Sequence, residues 1–148
     1  MTIWFEKYDY TEPGLLEHLN DLARQTADGH LGIRLTEIGP DFLRGTVPVD
    51  ERTRQPFGLL HGGVSVVLAE SLGSVAANLC VDSATSMCVG LDINANHLRA
   101  VREGTVTGTA RPFRIGRSTQ VWGIELENDK QQLSCVARLT VAVLPRRH

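Results

Sequence analysis

The stretch from His61 to Leu79 most limits what this chain can fold into. Val64, Val67, Leu68, Leu72, Val75 and Leu79 recur at helical spacing, and Val66, Ala69, Ala76 and Ala77 cover much of the remaining surface. A helix apolar nearly all round is expected to be buried nearly all round. It carries one charge, Glu70. An ionised carboxylate alone in such surroundings costs roughly several kcal/mol, so it either finds partners or its pKa rises. Glu70 is therefore a candidate general base or nucleophile. The plainer reading is a structural glutamate paired with an arginine such as Arg99 or Arg138. The wider run Leu59–Val81 has the length of a membrane span, but it also holds His61, Glu70, Asn78 and three serines. A mid-span carboxylate with no second span to shield it argues against insertion.

The remaining elements fall around this helix. Pro13 suits a first helical turn behind a Thr11 cap, and Leu15, Leu16, Leu19, Leu22 and Ala23 predict an amphipathic helix over 12–27, ended by Asp28-Gly29. Two strand-like runs, 31–38 and 42–49, flank the turn Gly39-Pro40-Asp41. Beyond the long helix, Val89, Leu91, Ile93 and Ala95 alternate with Asp92, Asn94 and Asn96. Residues 104–111, the Trp122, Ile124, Leu126 series and the run Leu133–Val143 also alternate, with Asn128-Asp129-Lys130 as a hairpin turn. The tail 145–148 is expected to be exposed and frayed. Hairpin-length connections imply an antiparallel sheet, so the class is α+β, in one domain over 1–148 with an N-terminal helical segment at 1–28. The long helix is the one element able to cover the sheet.

Composition removes several function classes. A net charge of −2 offers no field for nucleic acid or an anionic membrane. Cys80, Cys88 and Cys135 are odd in number without CxxC spacing, against a disulfide framework or zinc ribbon. His18, His30, His61, His97 and His148 show no metal-ligand spacing, and there is no HExxH, so no metal site is expected. The N-terminus lacks the basic and apolar regions of a signal peptide, which with reduced cysteines suggests the cytoplasm.

The segment Gln55-Pro56-Phe57-Gly58-Leu59-Leu60-His61-Gly62-Gly63 runs straight into the helix N-terminus, where unpaired N–H groups and the positive dipole end lie. The Gly62 amide is placed to polarise a carbonyl. Yet Gly62 and Glu70 are eight residues apart, about 12 Å along a regular helix. One reacting group cannot touch both. Either one of them is idle, or the site joins Gly62 of one subunit to Glu70 of another. Arg99, Arg102, Arg111, Arg114 and Arg117 crowd a segment with one acid, Glu103, which suits phosphates.

The run QPFGLLHGGVSVVLAESLGS, then VGLDINANHLR, then the Gly-Arg turn before STQVW, resembles the hot-dog-fold acyl-CoA thioesterases, most closely the branch acting on aromatic acyl-CoAs such as 4-hydroxybenzoyl-CoA and 1,4-dihydroxy-2-naphthoyl-CoA. The similarity runs over about residues 30–144. The resemblance implies a long central helix wrapped by a five- to six-stranded antiparallel sheet, an obligate homodimer joined sheet edge to edge, and a homotetramer of paired dimers. By the same resemblance Glu70 is the nucleophile or general base, Gly62 donates its amide to the thioester oxygen, and Gln55, Ser74 and His61 complete the catalytic set. Coenzyme A contacts fall on Gly90, His97, Leu98, Arg99 and Ala100, and on Arg114, Ile115, Gly116, Arg117, Ser118 and Thr119. No cofactor is implied beyond the CoA of the substrate.

Rival readings fare worse. A serine esterase needs a G-x-S-x-G elbow, and Gly63-Val64-Ser65-Val66-Val67 lacks the final glycine. A hot-dog dehydratase needs a catalytic histidine paired with an acid or asparagine, which the residues after His61-Gly62-Gly63 do not supply. Medium- or short-chain acyl groups, acyl-carrier-protein substrates and a non-catalytic acyl-CoA-binding protein stay open as alternatives.

Overall fold

The structure, a computed structural model, describes residues 1–147. The elements run α1 (Pro13–Ala23), α2 (Ala27–Leu31), β1 (Arg34–Ile38), β2 (Leu43–Pro48), α3 (Gly62–Leu79), β3 (Ser86–His97), β4 (Thr105–Ile115), β5 (Thr119–Glu127) and β6 (Leu133–Pro145). The six strands form one antiparallel sheet in the order β1-β2-β4-β5-β6-β3, curled around α3. This is the helix-in-sheet arrangement the resemblance implies. The helix begins one residue later than its pattern suggests and ends where expected.

Small residues let α3 sit close to the sheet. Leu72 reaches over Gly45 and Gly108: a Cβ on either glycine would lie 2.9 or 2.6 Å from its methyl groups. Leu68, Leu72 and Ala76 are fully buried against Leu43, Val47, Val106, Trp122, Leu126 and Leu139. The Trp122 indole donates to Gln120 Oε1 at 2.9 Å, and Gln120 Nε2 donates to the Ala77 carbonyl at 3.4 Å, so the buried polar atoms of the core are paired. The N-terminal residues form a strap rather than helix throughout. Trp4 stacks parallel to Trp122 at 6.4 Å, its indole donates to the Gly39 carbonyl at 2.7 Å, and the Phe5 amide caps the Leu79 carbonyl at 2.8 Å.

Several expectations are corrected. The single helix over 12–27 is two, because the Thr26 hydroxyl takes the Ala23 carbonyl at 2.7 Å and its backbone is extended. The N-cap is Glu12, while the Thr11 hydroxyl donates to Asp9 at 2.6 Å. Asp28-Gly29 lies inside α2, which ends at Gly32 in the left-handed region, φ 74°. In β3 the register shifts between Gly90 and Asp92, so Leu91 bulges out. Cys88 and Gly90 therefore share the inner face with Ile93 and Ala95, and Val89 and Leu91 do not. The Arg146 amide bonds the Thr85 carbonyl at 2.8 Å, so the tail is pinned that far; His148 lies outside the described residues.

The two sheet edges differ. At β1, the Asn20 side chain of α1 accepts from the Leu35 amide at 2.8 Å and donates to the Leu35 carbonyl at 2.9 Å, standing in for a neighbouring strand. β3 is twelve residues long, and eleven of them pair with β6, on one side only. A long uncovered edge is a template for another strand. Asn20→Ala removes both β1 contacts and is expected to lower stability by about 1–3 kcal/mol, measurable as a fall in the urea midpoint at unchanged slope.

Candidate functional site

The loop before α3 is firmly held. The Asp50 carboxylate accepts from Arg52 Nη2 at 2.7 Å, and this contact holds its pKa below the usual carboxylate value. Buried Thr53 donates to the Pro48 carbonyl at 2.6 Å, the His61 amide bonds the Thr53 carbonyl at 2.8 Å, and the Leu60 amide bonds the Val101 carbonyl at 2.8 Å. These bonds fix the direction in which α3 starts.

His61 is the N-cap. Its Nδ1 accepts from the Gly63 amide at 2.8 Å, and its carbonyl accepts from the Val64 and Ser65 amides at 2.9 and 3.2 Å. Among the described residues, the Gly62 amide alone in this first turn has no acceptor. A donor at the positive end of a helix is thus left free for a ligand oxygen. The His97 ring closes over Gly62: a Cβ there would lie 3.1 Å from His97 Nε2. Gln55, Leu60, Gly62, Ser65, His97 and Ala100 line one cavity of about 340 Å³, with Arg99 and Ser134 also at its wall. The Gln55 carbonyl oxygen accepts from the Phe57 amide, which leaves its NH2 group without an acceptor among the described residues.

Glu70 lies elsewhere. Its carboxylate leans over β3, with Oε1 3.0 Å from where a Cβ on Gly90 would be. It is exposed in the single chain, which corrects the expectation of burial. The sheet covers one side of α3 and the short helices cover the other only in part, so the Glu70 face is open. Glu70 makes no ion pair among the described residues, with Arg99, Arg138 or any other cation. Ser74, one turn on, lines a different cavity from Gly62.

The segments expected to hold CoA are also split. His97, Leu98, Arg99 and Ala100 lie beside Gly62, with the Leu98 amide on the Ser134 carbonyl at 2.8 Å. Arg114, Ile115, Gly116, Arg117, Ser118 and Thr119 form the β4–β5 turn at the other end of the sheet, where the Ser118 carbonyl accepts from Val143 at 2.9 Å. Gly90 lies toward that second end, since Gly90 and Gln120 both pair with Val141. Arg111 leaves the basic cluster: it bonds Asp41 at 2.9 Å and stacks on Phe42. Ser65 and Ser134 were not singled out in the sequence. Ser65 is legible as one turn beyond Gly62, whereas Ser134 reaches the cavity only through strand pairing.

Other nucleophiles are poorly placed. Burial pushes the Cys80 thiol up to about 12 and the Cys88 thiol to about 11, so both stay protonated near neutral pH. Among the described residues, no group of three or more His, Cys, Asp or Glu is placed to hold a metal ion. A further cavity of about 460 Å³ between α1 and β1 is lined by side chains such as Glu17, Asp21 and Arg34 and by none of the residues expected to form the site. Gly62–Leu79 is long and apolar enough to cross a membrane, and it is the helix the sheet wraps.

A curled antiparallel sheet around one long helix, with a free amide at the helix start, defines the hot-dog class. Residues 57–135 match the family described as the thioesterase superfamily. The chain is 54% identical over 129 residues to the 1,4-dihydroxy-2-naphthoyl-CoA hydrolase of Escherichia coli, covering 87% of this chain and 93% of that protein. Its fold matches a crystal structure of a mutant thioesterase from Pseudomonas aeruginosa with a TM-score of 0.92 at 50% identity, over 98% of this chain and 100% of that one. A thioesterase structure from Haemophilus influenzae gives a TM-score of 0.90 at 48% identity, over 97% and 96%. The chain belongs to the thioesterase superfamily and is a thioester hydrolase with a hot-dog fold.

His61→Ala deletes the N-cap and is expected to cost about 1 kcal/mol of stability, while His61→Asn keeps a capping acceptor and most of that stability. Urea denaturation of the two variants beside wild type measures the difference.

Proposed function

We propose that the protein hydrolyses an acyl-CoA, with an aromatic acyl group preferred, at a site shared between two subunits. The observation that carries this reading is the separation of Gly62 from Glu70 on one unbroken helix, combined with the open β3 edge. α3 runs antiparallel to β3, with Gly62 beside His97 and Glu70 beside Gly90. Two β3 edges paired antiparallel about a twofold axis through Asn94, with the Leu91 bulge absorbing one residue on each strand, set Gly90 opposite His97 of the partner subunit. Glu70 then faces Gly62 of the partner subunit, and the two halves of the CoA segment meet as well.

In this site the Gly62 amide bonds the thioester oxygen and stabilises the negative charge that develops there. Glu70 attacks the carbonyl carbon or takes a proton from the attacking water. The C–S bond breaks, CoA leaves as thiol, and one water is consumed in giving the free acid. Gln55 orients the carbonyl or the water, Ser74 supports Glu70 from the next turn, and His61 holds the helix start that presents the amide. The arginines of 97–100 and 114–119 hold the CoA phosphates. No further cofactor is needed. The E. coli relative named as a naphthoyl-CoA hydrolase supports the aryl preference. Pairing of dimers into a tetramer and a cytoplasmic location belong to the same proposal.

A purified-protein screen against aryl-, short- and medium-chain acyl-CoAs, following thiol release, tests it. Wild type is expected to favour aryl-CoA, and Glu70→Gln to lose at least about 100-fold in kcat. A near wild-type rate in Glu70→Gln would overturn the role of Glu70. Binding without turnover by wild type would make the protein an acyl-CoA carrier.

A further inference from the structure

Two serines line the cavity at the start of α3, Ser65 of the helix and Ser134 of β6. Ser134 is paired, its hydroxyl donating to the Leu126 carbonyl at 3.1 Å. Ser65 is 5% exposed, yet its hydroxyl meets no partner among the described residues. A serine within a helix commonly turns its hydroxyl to the carbonyl four residues back. Here that carbonyl belongs to His61, and it already accepts from the Val64 and Ser65 amides at 2.9 and 3.2 Å. Every side-chain oxygen or nitrogen sealed from solvent among the described residues has a partner. The unpaired Ser65 oxygen is therefore not sealed, and the space it opens onto is this cavity.

The direction of that hydroxyl follows from helix geometry. Ser65 is three residues beyond Gly62, on the same side of α3. The Cα–Cβ bonds of a helix tilt toward its N-terminus, so the Ser65 side chain leans back toward the free Gly62 amide. The Gln55 NH2 group, also without an acceptor among the described residues, lines the same cavity. Three unpaired donors thus border one space, and no Asp or Glu stands on its wall. Such a set fits an oxygen that gathers negative charge. Ser65 is not arranged as a nucleophile, since its hydroxyl is hydrogen-bonded to neither His97 nor any other base.

We propose that the Ser65 hydroxyl is a further donor to the thioester oxygen, acting as charge develops on it. The inference rests on the reading above that Gly62 bonds that oxygen. A carbonyl oxygen has two lone pairs, which Gly62 and Gln55 can occupy. When the nucleophile adds to the carbon, the C=O π pair moves onto the oxygen and becomes a third. Ser65 meets that third pair, keeps its own proton and forms no covalent bond. It therefore favours the transition state over the bound substrate, and its effect falls on kcat rather than on KM. Direct attack by Glu70 and attack by water pass through the same oxyanion, so the assignment holds for both.

The test uses Ser65→Ala, which removes the hydroxyl and keeps a good helix former, and Ser65→Thr, which restores a hydroxyl. With benzoyl-CoA, Ser65→Ala is expected to lose about 100-fold in kcat, with KM within about threefold of wild type. Ser65→Thr should recover most of the rate. Two analogues of benzoyl-CoA with CH2 in place of sulfur separate this role from packing. One keeps a flat ketone, and the other carries a tetrahedral phosphinate at the carbonyl position. By calorimetry, Ser65→Ala should weaken the phosphinate about 100-fold and leave the ketone nearly unchanged. A near wild-type kcat in Ser65→Ala, equal weakening of both analogues, or no recovery in Ser65→Thr would overturn the role of Ser65 alone. A wild type that binds the phosphinate no more tightly than the ketone would overturn the Gly62 reading and this inference with it. If benzoyl-CoA is not turned over, the analogue pair decides by itself.

Discussion

The fit of α3 against the glycine-lined face of the sheet is the contact on which the other features depend. Leu72 fills the space over Gly45 and Gly108, and the helix is thereby drawn close enough for the sheet to curl round it. That closeness sets the crossing of α3 over β3. It brings Gly62 under His97 at one end and Glu70 beside Gly90 eight residues later. A larger residue at either glycine of the trough would lift the helix and break both relations together. Core packing and site geometry are, in this protein, one property.

The same packing leaves a face uncovered. The sheet shields one side of α3, and α1 and α2 shield only part of the other, so the one carboxylate of the helix stays open in a single chain. The two edges of the sheet reinforce that asymmetry. β1 is short and blocked by the Asn20 amide, whereas β3 is long and open. A strand edge with unpaired backbone groups is a liability unless something pairs with it. A twofold pairing of β3 satisfies those groups and brings a free amide to the carboxylate.

Much of this was legible in the residues. The period-3.6 apolar run placed α3 to within one residue, and a predicted run underlies each strand, though β1 starts at Arg34 rather than at 31 and β4 runs on to Ile115. What was missed has physical causes. Periodicity does not register a bulge, so Leu91 was put on the wrong face. The Thr26 hydroxyl broke a helix that leucine spacing made continuous. Apolar composition suggested burial for Glu70, because it reports how much surface a helix must cover and not which chain covers it. Charge counting grouped Arg111 with the basic cluster, while pairing with Asp41 took it away. Ser134 entered the Gly62 cavity through strand register, which the local sequence does not reveal. The 12 Å argument needed only the helix rise, and the unbroken helix meets its premise.

The shared site is tested most directly by complementation. Gly62→Pro removes the free amide at a position where proline suits a helix start, and His61 already has the extended backbone, φ −62° and ψ 129°, that precedes proline well. Glu70→Gln removes the carboxylate. Each variant alone should be inactive. Co-expression with two tags, followed by purification on both, isolates the hybrid dimer. A site built from two subunits predicts one intact site per hybrid, and so about half the wild-type rate per dimer. A hybrid as inactive as its parents would place Gly62 and Glu70 in the same chain's site and contradict the shared centre.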